Sequence, residues 1–397
     1  MMNIHQTAIG LITVYAILFL PIPTLAQDIS GQAPFLQMKP GYKLSGVDVL
    51  ARSDDGNLLA GAGRVFLRIW NTKNDELVLE LTGFPFQSGF SGDPNHVTDM
   101  KFTPDGKELV VSCFQGIVIV IDIKTGKNRL VLRNPCFVHK DNYLRLLPFG
   151  SVAISEDGKH IAAGSYRQFH VWDAQTGKLK NSLFEERLTL DEVKVTEFRK
   201  AFIPDANPEQ KYDFMRSINS YYLDYGDTTT TIFQLITNNV PLYIEKRSLV
   251  YDIAFGLNAN EIITAGLSVC AWDFENNTRR ILLNQKDCNI ALSRDGNKLL
   301  IASDELRVLD ASSLKLLRKH SIRLKQPQFF SGNLILGIGK GSLQEFDIVT
   351  GKVHRKFVNE TVSGEPRLYA ISCHPMNSTI FAAYGRRYIY SFNPDGE

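Results

Sequence analysis

The stretch SEDGKHIAAGSYRQFHVWDAQTGK, residues 155–178, decides the fold. It opens on Asp157-Gly158, a pair that supplies the positive-φ geometry of a tight hairpin. IAAGS (Ile161–Ser165) then runs from apolar to small, as a strand does when it packs close against a neighbouring sheet. A few residues later FHVWD (Phe169–Asp173) ends in a large apolar residue followed by an acid. DAQTGK (Asp173–Lys178) is a second turn. The reading is strand, turn, strand, turn, with more strand on either side.

The same unit recurs. LRIWN (Leu67–Asn71), VIVID (Val118–Asp122), VCAWD (Val269–Asp273), LRVLD (Leu306–Asp310), LQEFD (Leu343–Asp347) and IYSFN (Ile389–Asn393) bring the copies to seven. The first turn returns as TPDGK (Thr103–Lys107) and SRDGN (Ser293–Asn297). The small-residue strand returns as LLAGAG (Leu58–Gly63), IITAG (Ile262–Gly266), LLIAS (Leu299–Ser303) and LILGIG (Leu334–Gly339). DIKTGK (Asp122–Lys127) and DIVTGK (Asp347–Lys352) repeat the second turn, and RLVL (Arg129–Leu132) supplies the strand after it. A repeat of this kind specifies an array of small sheets rather than one large core. Four short strands joined by tight turns make one blade of a propeller. The expected fold class is all-β, a single β-propeller of four-stranded antiparallel blades.

From about residue 43 to residue 397 the chain resembles the WD-repeat β-propeller family. The Trp-Asp pair is intact at Trp172-Asp173 and Trp272-Asp273, and drifted at Trp70-Asn71 and in the Leu, Ile and Phe copies. The family's Gly-His pair is mostly absent. The only three tryptophans of the chain all occupy the repeat position, which assigns them to packing between blades. In the family, the strand preceding the first blade completes the last one, so Phe35–Leu44 is expected to close the ring.

Repeat positions fall at residues 70, 121, 172, 272, 309, 346 and 392, with one double-length gap after 172. Tyr222-Leu223-Asp224 sits nearly in phase for an eighth, degenerate blade. Against it, Asn207-Pro208-Glu209 has the chemistry of a helix start. Tyr212, Met215, Ile218 and Tyr222 then follow at helical spacing. Pattern outweighs phase: the reading is seven blades with an insertion over 184–248, the alternative being eight blades. The family topology puts this insertion on the same face as two other long connections, 83–95 and 133–149. Long connections on a rigid scaffold are where binding concentrates.

The first 26 residues contain no Asp, Glu, Lys or Arg. Ala8–Leu20 is an apolar run of signal-peptide length, and Thr24-Leu25-Ala26 offers small residues for cleavage before Gln27. The expectation is an exported protein with no membrane span after cleavage, its propeller domain spanning 35–397. Net charge is +2, with 44% hydrophobic and 22% charged residues, so bulk charge does not point to nucleic acid. Five cysteines (Cys113, Cys136, Cys270, Cys288 and Cys373) are too few for a disulfide framework. Cys113 and Cys270 fall in strands and read as buried thiols.

Enzymatic motifs are missing: no Gly-x-Ser-x-Gly, no His-Glu-x-x-His and no Cys-x-x-Cys-His occurs. Cys136, His139, Asp141 and His160 fall short of a tetrahedral metal shell. His170 and His320 read as packing residues. The binding candidates are the b–c hairpin cations Arg64, Arg167, Lys340, Arg386 and Arg387, which face an anionic ligand if the loop-bearing face is used. Tyr221, Tyr222 and Tyr225 of the aromatic-rich insertion join them. The resemblance implies a monomeric, non-catalytic binding scaffold for a protein or other macromolecular partner, with no cofactor. The alternative is a propeller hydrolase of lactonase type with a metal in the central channel. Asp48, Asp99 and Asp252 are its candidate ligands, although the other copies offer only Val152, Ile290 and Tyr369.

Overall fold

The computed structural model describes residues 25–28, 36–37, 46–63, 66–82, 96–134, 137–140, 143–146, 148–166, 168–184, 250, 252–256, 258, 260–358, 368–374, 379–384 and 388–392. These residues form strands, and no helix occurs among them. Blade 1 is built from Val49–Arg52, Leu58–Ala62, Phe66–Asn71 and Leu77–Thr82, each antiparallel to the next. The four strands of every blade are named a to d, from the channel outward. Blade 2 runs from Val97–Phe102 to Asn128–Arg133, blade 3 from Ser151–Ile154 to Leu179–Phe184, and blade 4 from Asp252–Phe255 to Thr278–Leu283. Blade 5 runs from Asn289–Leu292 to Leu316–His320 and blade 6 from Lys325–Ser331 to Lys352–Val358. Blade 7 has three strands from its own repeat: Leu368–Cys373, Ile380–Tyr384 and Tyr388–Phe392. Its fourth is Leu36–Gln37, antiparallel to strand c with Leu36 opposite Ile389. The closing strand lies within the segment expected to supply it.

The repeat residues do the same job in each blade. Trp172 is buried with Val118, Val120 and Leu132 of blade 2, edge-on to Phe149 at 5.8 Å between ring centroids. Trp272 reaches back to Phe169 and Val171 of blade 3, and Trp70 to Phe381 and Ile389 of blade 7. Where the tryptophan has drifted, Ile121, Leu309 and Phe346 still face the preceding blade. Among the described residues the hydrophobic core therefore falls into seven clusters, one at each interface between successive blades. The cluster between blades 7 and 1 closes the circle. An eighth blade has no interface to occupy, because strands a of blades 3 and 4 touch directly.

The acid after the tryptophan holds the c–d turn. Asp173 Oδ1 accepts hydrogen bonds from the backbone N–H and the hydroxyl of Thr176, both at 2.8 Å. Gly177 then turns left-handed at φ 71°. Side-chain room is scarce there, since a Cβ at 177 would meet Leu132 and Leu130 of blade 2 at 3.1 and 3.2 Å. The a–b turns repeat a second device. Ser155 Oγ donates to Asp157 at 2.7 Å and accepts from His160 N–H at 2.9 Å, with Gly158 at φ 69°. Ser53-Asp55, Thr103-Asp105 and Ser293-Asp295 do the same. Sequence-distant blades share these turns because the chemistry of the turn, not of the core, fixes them.

Two elements lie outside the sequence reading. The 133–149 connection holds a hairpin, Phe137–Lys140 against Tyr143–Leu146, with Lys140 opposite Tyr143. Leu25–Asp28 adds a fifth, parallel strand to the outer edge of blade 6, where strand d has unpaired backbone groups to offer. The expected helix after Asn207 and the remainder of 185–249 lie outside the described residues.

Candidate functional site

The antiparallel order of each blade sends its b–c hairpin and its d–a connection to one face, and its a–b and c–d turns to the other. The long segments 83–95, 135–147 and 185–249 are all d–a connections, so they leave from the first of these faces. Of the hairpin cations, Lys340 is described; Arg64, Arg167, Arg386 and Arg387 lie outside the described residues, as do Tyr221, Tyr222 and Tyr225. Lys340 is exposed at φ 49° and is followed by Gly341 at φ 80°. Two successive left-handed residues form the primed turn that matches strand twist, and they place the ammonium at the rim of a large cleft.

That cleft, between blades 5 and 6 and reaching strand a of blade 7, has a volume of about 1120 Å³. Its described walls carry the cations Lys319, Arg323, Lys325, Lys340 and Lys356, together with His320, and no acid. Lys319 pairs with Glu305 at 2.9 Å and Arg323 lies 3.6 Å from Asp304, both acids of the blade 5 hairpin at its border. Lys325, Lys340 and Lys356 have no acidic partner among the described residues. His320 is fixed rather than free: its Nε2–H donates to the Ile348 carbonyl at 2.9 Å, and its ring lies edge-on to Phe346. Ile322, Ile338, Leu368 and Tyr369 add apolar surface. Whole-chain charge hides this feature. Between Lys315 and Lys356 the sequence has nine Lys and Arg against two acids, while the whole chain is +2. A windowed charge count would have found it.

The central channel has a different use for its polar groups. Asp99 Oδ2 accepts the Val152 amide of blade 3 at 3.1 Å, and Asp252 Oδ2 accepts the Ile290 amide of blade 5 at 3.0 Å. Asn289 accepts the Gln326 amide, while Gln328 exchanges bonds with the Ile371 carbonyl and the Cys373 amide of blade 7. Strands a do not pair with one another, so these side chains satisfy backbone groups that the channel would leave bare. Lys101 reaches Asp99 at 3.2 Å. Burial in the channel pushes the Asp252 carboxyl up to about 7, against the pull of Lys101. Among the described residues no three His, Cys, Asp or Glu come together as a metal shell. The candidate channel ligands Asp99 and Asp252 are taken up in stitching blades together.

The remaining candidates resolve as packing. His160 stands at the a–b turn end of blade 3, stacked near Phe255 and edge-on to Phe274, at the opposite end of its strand from the connection carrying Cys136. His170 is fully buried beside Phe149 and Trp172, and burial lowers its pKa to about 3. Cys113, Cys270, Cys288 and Cys373 are free thiols; the first three are buried, and burial lifts Cys373 to about 12.

No family model and no curated protein matches this sequence. Among solved structures, the chain is similar to the β-propeller domain of Cps50 (Swd1) from Myceliophteria thermophila. The TM-score is 0.58 at 13% identity, over 88% of this chain and 97% of that one. At that identity the likeness is one of fold, and the fold is that of a WD-repeat-like propeller.

Proposed function

We propose that the chain is an exported, non-catalytic scaffold that binds a macromolecular partner through its loop-bearing face. The observation that carries this reading is the contrast between the two faces. On one, short turns consume their own Asp, Ser and Thr in local hydrogen bonds. On the other, the long connections leave from blades 1 to 3, and further round the ring a cleft between blades 5 and 6 has cations to spare. The tryptophans and the channel carboxylates, the groups that chemistry would otherwise recruit, are spent on packing and stitching. The fold likeness to a WD-repeat propeller agrees with a scaffold role but does not name a function by itself.

Two experiments test the proposal. Affinity capture with the full chain, read by mass spectrometry, is expected to return one dominant partner that a propeller with reversed charges on its turn-bearing face still retains. Loss of that partner on reversing Lys107, Lys127 and Lys159 there would overturn the assignment of the face. For export, the uncharged first 26 residues and Thr24-Leu25-Ala26 support cleavage before Gln27. N-terminal sequencing of the native protein should read from Gln27, and recovery of Met1 on the mature chain would contradict it.

A further inference from the structure

We infer that the cleft between blades 5 and 6 is a docking site for an acidic, apolar-interrupted peptide segment of a protein partner. The inference deepens the scaffold reading and rests on it for the partner being a protein. Three lysines without acidic partners among the described residues converge from three elements: Lys325 from strand a of blade 6, Lys340 from its b–c hairpin and Lys356 from its strand d. Like charges gathered along one cleft without acids repel one another, and an anionic ligand relieves that repulsion. The site itself shows which anion suits it, since the two neighbouring cations Lys319 and Arg323 already hold carboxylates. Lysine predominates over arginine in the walls, giving point charges rather than the planar forks that read phosphate bidentately. Ile322, Ile338, Leu368 and Tyr369 lie among the cations, so apolar side chains have a seat beside the acidic ones. At about 1120 Å³ the cleft exceeds the roughly 300–1,000 Å³ of a small-molecule pocket. An extended segment of several residues fits that room.

The test uses the full chain and a fluorescein-labelled dodecapeptide of four Glu-Glu-Leu repeats, followed by anisotropy at about 50 mM salt, where the Debye length is still long. Wild type should bind the peptide. Lys325→Glu with Lys340→Glu and Lys356→Glu should raise Kd by at least about tenfold, with the corresponding Gln variant in between. Lys124→Glu with Lys127→Glu and Lys178→Glu, an equal charge change at exposed turn positions of blades 2 and 3, should alter Kd by less than about twofold. Because Lys356 is half-buried, the exposed pair Lys325→Glu and Lys340→Glu is measured as well, with thermal melts to confirm folding. Equal losses in the two charge-reversed sets would overturn the site. Binding of inorganic polyphosphate or a dodecanucleotide in place of the peptide would overturn the ligand class. Should a partner be captured that ignores the cleft variants, the scaffold reading stands and the cleft assignment falls. Cleft-dependent peptide binding with no partner captured would uphold the cleft and overturn the scaffold reading.

Discussion

Trp172 shows how much a single repeat residue holds. It is buried across the interface of blades 2 and 3 against Phe149. Trp172→Ala is therefore expected to cost about 3–5 kcal/mol in denaturant melts, whereas Lys127→Ala, exposed in a turn, should stay within about 0.5 kcal/mol of wild type. Similar small effects at both positions would contradict the interface role. Arg52 tests the seam between blades 7 and 1. Its guanidinium donates to the Gly56 and Thr379 carbonyls and covers the Phe381 ring at 4.9 Å. Arg52→Ala should cost about 2 kcal/mol in denaturant melts, from the loss of the charge-assisted bonds that join the two blades.

Asp252 is the residue through which pH acts on the channel. Its folded pKa of about 7 lies above the ordinary 3.8, so the native state holds the proton more tightly than the unfolded chain does. The ionised form costs stability, and that cost grows as pH rises from about 4 and levels off above about 7. Asp252→Asn keeps an acceptor for the Ile290 amide and removes the charge. Its melting temperature relative to wild type is expected to rise between pH 5 and pH 8, and a difference that does not vary with pH would contradict the raised pKa. The turn acids have the opposite sign. Hydrogen bonds from Ser313 hold Asp310 down at about 2, and Ser293 with Asn297 does the same for Asp295. Their contribution is full above about pH 4 and is lost as pH falls towards 2.

At the scale of elements, the blades were legible because their signals are local. Asp-Gly turns, small-residue strands and the terminal Trp-Asp each state their conformation within a few residues, so all seven copies match the strands they predict. The hairpin at 137–146 escaped because Phe137–Lys140 and Tyr143–Leu146 flank Asp141-Asn142, a stretch of sequence without any residue of the repeat. The cleft escaped for a different reason. Its cations lie within one stretch, residues 319–356, but the whole-chain charge of +2 averages them away, and only Lys340 sat at a position the hairpin rule singled out. The segment over 184–248 is tested by deletion. Phe184 lies opposite Gln168, Gln168 opposite Ser165, and the Ser165 carbonyl accepts the Val250 amide. Three strand spacings of about 4.8 Å put the ends roughly 15 Å apart, within reach of about six Gly/Ser residues. Replacing 187–246 by such a linker should leave a cooperatively melting monomer, since shortening the loop costs the closed ring little. Aggregation of the deletant would contradict the excursion.

At the scale of the whole molecule, closure and asymmetry are the two properties that matter. The ring closes through the blade 7–blade 1 core, through Arg52 and His374 at one face, and through Leu36–Gln37 at the outer edge of blade 7. Closure removes the exposed edges of an open array. The result is a closed ring whose two faces differ in what they leave unspent. Lysine-reactive cross-linking of the full chain with its captured partner, mapped by mass spectrometry, reads that difference directly. Cross-links are predicted at Lys319, Lys325 and Lys340 on the loop-bearing face and not at Lys107, Lys127, Lys159 or Lys178 on the other. Partner cross-links concentrated on the second set would contradict the account.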